Sequence, residues 1–357
     1  MLRRLTAFRA RSRWVVVGLV VLLVAVAGLV TWRLTRDDAS RFAAAAALAP
    51  ESSQRFSWTD WAGVRDELGA DLSASSSADE LADFLLAAFD RDLSATTALA
   101  ESAPTLQSTF GFSPANVDWE LFAQGKDGAV VILGMPDDFD FDGLRSRLEE
   151  IGFEKPDEAD GVWRGGVDLL ETLDGPVTPE LAVLQIDEES GLLFGSDDPN
   201  FLEERGDVER GEAADGIAAV VDAAGPALSA SAYTGDYACA ELSMSGADPA
   251  DRTRGAELIE AAGEVHPLTA FAIAAQPAGD VRVAMAFENN DQARTDADTR
   301  SKLAAGPAPG QGGTFPERFR LGKVAATDKT VTMELEPAEG TFVLSDLNQG
   351  PVLFATC

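Results

Sequence analysis

The sequence predicts an α+β fold, antiparallel sheet plus helices, carried behind one N-terminal transmembrane helix. Three observations carry that expectation. Residues 14–32 (WVVVGLVVLLVAVAGLVTW) hold no charged side chain. Two stretches further on repeat one order of elements: a hairpin, a helix, then more antiparallel strand. Just two cysteines, Cys239 and Cys357, occur in 357 residues.

An apolar helix needs roughly 20 residues, at about 1.5 Å each, to cross about 30 Å of hydrocarbon. Residues 14–32 meet that length, and Trp14 and Trp32 stand where interfacial aromatics prefer to lie. Arg3, Arg4, Arg9, Arg11 and Arg13 precede the run, so the positive-inside bias makes residues 1–13 a cytoplasmic tail and sends the rest across. Ala25-Val26-Ala27 resembles a signal-peptidase site, which leaves cleavage after Ala27 as the alternative. The apolar run continues through Leu29 and Val30 to Trp32, which favours an uncleaved signal-anchor. No cysteine follows the run, which excludes a lipid-modified anchor.

The chain carries −32 overall, and its first 36 residues contribute +7 from seven arginines, so residues 37–357 carry −39. A surface that negative repels phosphate backbones and excludes nucleic acid as a partner. It suits a cationic ligand, a basic envelope protein, or simple solvation. Outside the cytoplasm an isolated cysteine pair oxidises. A Cys239–Cys357 bond would close a loop for which the chain-entropy model gives on the order of 5 kcal/mol. With two cysteines and the single histidine His266, a Cys/His zinc site is implausible.

Residues 33–55 read as a stalk, with an Ala43–Ala47 run that is helical until Pro50. A first α+β unit is expected over 56–205. Trp58, Trp61, Val64 and Leu68 follow helical spacing, with Asp60 as N-cap and Gly69 as stop. After a Ser73–Ser77 loop, Asp79 is expected to cap a helix that buries Leu81, Phe84, Leu85 and Phe89. Val117–Gln124 and Ala129–Met135 flank Gly125–Gly128 as a hairpin. A helix from Phe141 to Ile151 follows, ended by Gly152. Gly161–Arg164 is a short strand, Leu181–Asp187 and Leu192–Ser196 a hairpin, and Asp198-Pro199 opens a short helix.

After an acidic connector at 203–212, the same order returns in a second unit over 213–357. Helices are expected at Asp215–Ala224 and after Asp248, with Pro249 at N1. Leu268–Gln276 and Val281–Phe287 form a hairpin, Asp291–Leu303 a polar helix, and Arg318–Ala326 with Thr330–Glu336 another hairpin. Ala305–Gly313 (AGPAPGQGG) reads as a flexible loop.

The sharpest motif is Asp138-Phe139-Asp140-Phe141-Asp142-Gly143 with Glu149, which satisfies D-x-D-x-D-G-x₅-E, the EF-hand calcium loop. Asp138, Asp140, Asp142 and Glu149 are therefore the calcium candidates. Pro136 stands where an EF-hand needs a helix, and Arg145 where it needs an aliphatic residue. The competing reading is a helix start with Asp138 or Asp140 as N-cap. Enzyme signatures are absent: no G-x-S-x-G, H-E-x-x-H, C-x-x-C or Walker loop. His266, before Pro267, reads as a turn residue. Carboxylate pairs such as Glu149/Glu150 leave a carboxylate-dependent hydrolase as a remote alternative.

The Arg-rich start, the single anchor helix and the segments DFDFDGLRSRLEEIGF (Asp138–Phe153) and DGVWRGG (Asp160–Gly166) resemble exported, membrane-anchored proteins of actinobacteria. That resemblance implies a cell-envelope location and supplies no activity. The expectation is a membrane-tethered, extracytoplasmic, non-enzymatic binding or scaffold module. A calcium-stabilised ectodomain is the alternative from another class.

Overall fold

Paired hydrophobic runs, each split by a short polar turn, build most of the fold. The computed structural model of the protein describes residues 40–158, 160–203 and 216–357. The tail and anchor at 1–32, the stalk residues up to 39 and most of the acidic connector lie outside the described residues. No helix among the described residues is long and apolar enough to cross a membrane.

The strands are β1 (Ser53–Thr59), β2 (Trp119–Gly125), β3 (Ala129–Gly134), β4 (Val162–Arg164), β5 (Val183–Asp187), β6 (Leu192–Ser196), β7 (Ser229–Thr234), β8 (Ala270–Ala275), β9 (Val281–Ala286), β10 (Phe319–Thr327) and β11 (Thr330–Pro337). They join in one antiparallel sheet of order β10-β11-β9-β8-β7-β1-β2-β3-β6-β5-β4. Outward from the central β1–β7 pair, β1-β2-β3-β6-β5 on one side matches β7-β8-β9-β11-β10 on the other, and β4 extends one edge alone. The helices are α1 (Arg41–Ala46), α2 (Trp61–Leu68), α3 (Ala78–Asp90), α4 (Phe141–Ile151), α5 (Pro199–Glu203), α6 (Ile217–Ala224), α7 (Gly235–Glu241), α8 (Pro249–Ala262), α9 (Asn290–Ala304) and α10 (Val343–Leu347). α4 follows β3 as α9 follows β9, so the expected order of hairpin, helix and hairpin is present in both halves.

The two expected units meet through the sheet itself. Arg55, Phe56, Ser57, Trp58 and Thr59 of β1 register with Tyr233, Ala232, Ser231, Ala230 and Ser229 of β7. The described residues from 41 to 357 consequently form one compact unit. The stalk expectation needs correction at its end, because α1 and the start of β1 belong to this unit. Phe42 of α1 stacks on Trp58 with ring centroids 5.5 Å apart, and Trp58 stacks on Trp119 at 5.5 Å. Trp58 Nε1 donates to Ala227 O at 3.0 Å, which ties the indole across the two halves. Trp58 therefore belongs to a strand, and the helix with Asp60 as N-cap begins at Trp61 and ends at a left-handed Gly69.

α6 lies against β7, β8 and β9, whose Ala230, Ala232, Ala272, Ala274 and Ala284 are buried. Short side chains there let the helix approach the sheet closely. α3 begins two residues earlier than expected: Ser77, not Asp79, is the N-cap. Its hydroxyl accepts from Glu80 N, and Glu80 accepts from Ser77 N at 2.7 Å, a reciprocal capping box. Phe89 also departs from its expected core role, being 58% exposed, its ring tilted against that of Phe342. Ala88 takes the buried position on that turn instead.

The Cys239–Cys357 disulfide forms as expected, joining α7 to residue 357 across a separation of 118 residues. Loop 305–313 is tied down rather than free: Arg318 donates to Gly312 O at 3.0 Å and to Gln311 O at 2.8 Å. Gln311 in turn donates to Asp346 O at 3.0 Å.

Candidate functional site

The acidic loop singled out in the sequence opens onto a cleft of about 520 Å³ in the first half of the fold. That volume falls within the range of small-molecule sites. One wall is the loop Pro136–Asp140 and the first turns of α4, contributing Asp138, Phe139 and Arg147. Phe110, Gly111 and Asn116 also line the cleft, Gly111 lying against Arg147, as do Arg65 of α2 and Asp118.

Local chemistry explains each wall. Asp140 caps α4, accepting from Gly143 N at 2.8 Å, so the helix starts where its first orphan N–H groups find an acceptor. Residues Leu106–Phe110 form a π-helical turn that ends at Gly111, with φ +85°. A single wide turn of this kind is uncommon and recurs at functional sites. A Cβ at Gly111 would lie 3.1 Å from Arg147 Nε, so glycine there both permits the backbone and leaves room for the guanidinium. Asn116 holds the next loop, accepting from Ser113 N at 2.8 Å and donating to Gly111 O at 3.2 Å.

Arg65 is committed to structure. Its Nη1 donates to Pro114 O at 2.7 Å and Val117 O at 2.8 Å, and its Nη2 stands 3.8 Å from Asp118 Oδ1. Burial pulls the Arg65 guanidinium below its usual range, against the nearby acids. Burial likewise pushes the Asp118 carboxyl up, ahead of the opposing pull of Arg65. Both partners shift against ionisation, so desolvation outweighs their mutual attraction.

The calcium candidates do not converge. Asp140 is the α4 cap, Asp142 pairs with Arg145 at 3.0 Å, and Glu149 pairs with Lys155 at 2.6 Å. Asp138 faces the cleft. Once Phe141 starts a helix, Asp142 and Glu149 stand two turns apart along it, about 10 Å, too far to share one ion. Among the described residues no three His, Cys, Asp or Glu side chains gather as a cation would require.

Two buried polar clusters escape sequence reasoning. Glu120 of β2 is fully buried: Oε2 accepts from Trp61 Nε1 at 3.0 Å and Thr97 Oγ1 at 2.7 Å, and Oε1 from Ala98 N at 2.5 Å. Burial pushes its carboxyl above the glutamate range, while these donors pull the other way. A carboxyl raised on folding contributes stability that is full below its unfolded value, about 4.3, and fades as pH climbs through the folded one. Glu120→Gln should therefore lower stability most at acid pH, by setting an NH2 against groups that themselves donate. Its deficit against wild type should narrow from about pH 4.3 upward, where the wild-type carboxyl begins to be penalised. Urea midpoints across that range check this, and a deficit constant with pH refutes it.

The second cluster surrounds His266. Asp296 Oδ2 meets His266 Nδ1 at 2.6 Å, and its Oδ1 accepts from Arg300 Nε at 2.6 Å and His266 N at 3.2 Å. The Nη1 of Arg300 donates to Phe354 O at 2.7 Å and Thr356 O at 2.8 Å, and its Nη2 to His266 O at 2.6 Å. His266 holds the turn before Pro267, as expected, but it does so inside a buried ion cluster. The signal available in sequence was Asp296 and Arg300 four apart, at positions that keep register with Ala293 and Leu303 on the buried side of α9.

The fold and the cleft together define an α+β body with one continuous antiparallel sheet and a mixed-charge cleft beside α4. No family model and no curated protein matches the chain. A solved chain described as "Structure of crystal form I of TP0453" covers 85% of this chain and 96% of its own length, at 6% identity and a TM-score of 0.34. A likeness that slight extends neither to fold nor to function.

Proposed function

We propose that the protein is a membrane-tethered, extracytoplasmic binding module of the cell envelope, anchored through residues 14–32 and presenting the cleft beside α4 to a partner or ligand. The Cys239–Cys357 disulfide carries the location, because cytoplasmic thiol buffers keep such a pair reduced. The arginines ahead of the apolar run support the orientation. The binding reading rests on how the cleft's groups are used: Asp140 caps a helix and Arg65 holds two loop carbonyls, so they shape a cavity.

A membrane-impermeant amine reagent tests the location. Lys126, Lys155, Lys323 and Lys329 are exposed. All four should label in intact cells of the host, with the protein in the membrane fraction. Labelling that appears only after lysis refutes the proposal.

A further inference from the structure

We infer that the cleft beside α4 binds a small zwitterion of the amino-acid or short-peptide class, its carboxylate on Arg147, its ammonium on Asp138 and its apolar body against Phe139 and Leu72. This deepens the binding reading above and rests on it.

The argument begins with what the two charged groups lack. Most described arginines have a carboxylate partner, among them Arg41, Arg91, Arg145, Arg254, Arg294 and Arg320; Arg55 and Arg252 have none among the described residues, but they lie outside the cleft. Arg147 has none among the described residues. Its one hydrogen bond is a long one, from Nη1 to Ser108 O at 3.4 Å. Asp138 likewise makes no ion pair or side-chain hydrogen bond with another described residue. The other charged groups of the cleft are engaged, Asp140 with Gly143 N and Arg65 with Pro114 O and Val117 O. One guanidinium and one carboxylate are left on the walls of the same cavity.

The backbone around Arg147 is arranged to admit it. Gly111, at the end of the π-helical turn, leaves the space that the guanidinium occupies. A guanidinium offers a planar fork that matches a carboxylate, whereas a free carboxylate suits an ammonium. A simple anion would have to approach Asp118, Asp138 and Asp140, and a simple cation would have to approach Arg65 and Arg147. A molecule bearing both charges meets each with its opposite. The half-buried Phe139 and Leu72 supply apolar surface in the same cavity, and about 520 Å³ is room for a dipeptide rather than a folded chain.

The test uses the full chain in detergent micelles and the dipeptide Leu-Phe, alongside N-acetyl-Leu-Phe and Leu-Phe amide, by calorimetric titration. Leu-Phe should bind saturably, and Arg147→Gln and Asp138→Asn should each weaken it about tenfold or more, as for a lost charged hydrogen bond. Arg252→Gln, on the exposed side of α8, should change nothing. Arg147→Gln should have no further effect on the amide, which lacks the carboxylate, and Asp138→Asn none on the acetylated form. Both cleft groups are exposed, and unchanged melting midpoints will confirm that the variants fold.

Absence of Leu-Phe binding up to its solubility overturns the inference. So does binding that ignores Arg147→Gln, or an amide that binds as well as the free dipeptide. Surface labelling of a protein that binds no dipeptide keeps the envelope location and ends this inference alone. Binding by a protein that labels only after lysis does the reverse.

Discussion

Arg300→Met should cost about 3–5 kcal/mol of folding stability, the range for breaking a fully buried ion pair by removing one partner. Arg300 and Asp296 are both inaccessible to solvent, so no water replaces the lost guanidinium. The substitution leaves the Asp296 carboxylate facing only His266, and it strips the donor from three carbonyls at once: His266 O, Phe354 O and Thr356 O. Phe287, whose ring centre lies 5.4 Å from the guanidinium carbon, loses its cation as well. Adding Asp296→Asn to Arg300→Met removes the stranded charge, so the double variant should recover part of the loss. Urea denaturation of wild type, Arg300→Met, Asp296→Asn and the double variant measures this as a coupling energy. A loss below about 1 kcal/mol for Arg300→Met would show that water or another cation already serves the site.

Cys357→Ser should cost about 3–5 kcal/mol, close to the chain-entropy value for a loop of more than 100 residues. The loop closed here separates its ends by 118 residues. Arg300 holds Phe354 O and Thr356 O whether or not the bond is present, so the segment should keep its native place in the variant. The expected loss then arises chiefly in the unfolded chain, which gains freedom. Wild-type protein in excess reductant should melt with the variant, and the variant should be indifferent to reductant. Equal midpoints for oxidised and reduced wild type would refute the prediction.

The sequence resolves the fold best where the determining contacts are short-range. Helix α4 begins and ends where the spacing of Phe141, Leu144 and Leu148 and the stop at Gly152 place it. Helix α8 starts as Asp248-Pro249 predicts, with Asp248 accepting from Ala250 N and Asp251 N. The hairpins β2–β3, β5–β6, β8–β9 and β10–β11 all match the expected runs to within two residues at each end. The central strands are less legible. Ser229–Thr234 (SASAYT) is small and polar, yet five of its six residues are buried, so no contrast between wet and dry faces marks it as strand. In Ser53–Thr59, Ser57 and Thr59 are as buried as Phe56 and Trp58, which hides the alternation in the same way.

The candidate site divides along the same line. The Asp138–Gly143 run announces itself as a chemical motif, and local spacing alone supports either a cation loop or a helix cap. Capping by Asp140 is a contact over three residues, which the sequence contains. Choosing between the two needs the partners of Asp142 and Glu149, and the cleft needs Arg65 brought to carbonyls 49 and 52 residues away.

By itself the sequence determines the α+β class, the repeated order of elements, the helix caps and the pairing of its two cysteines, because those follow from neighbours along the chain and from elimination. The tertiary structure alone decides that β1 and β7 fuse the halves into one sheet. It also decides that Arg300 locks residues 354–356 and that Arg147 and Asp138 share a cavity. Those outcomes depend on side chains far apart in sequence meeting where water is excluded, and no local period encodes such a meeting.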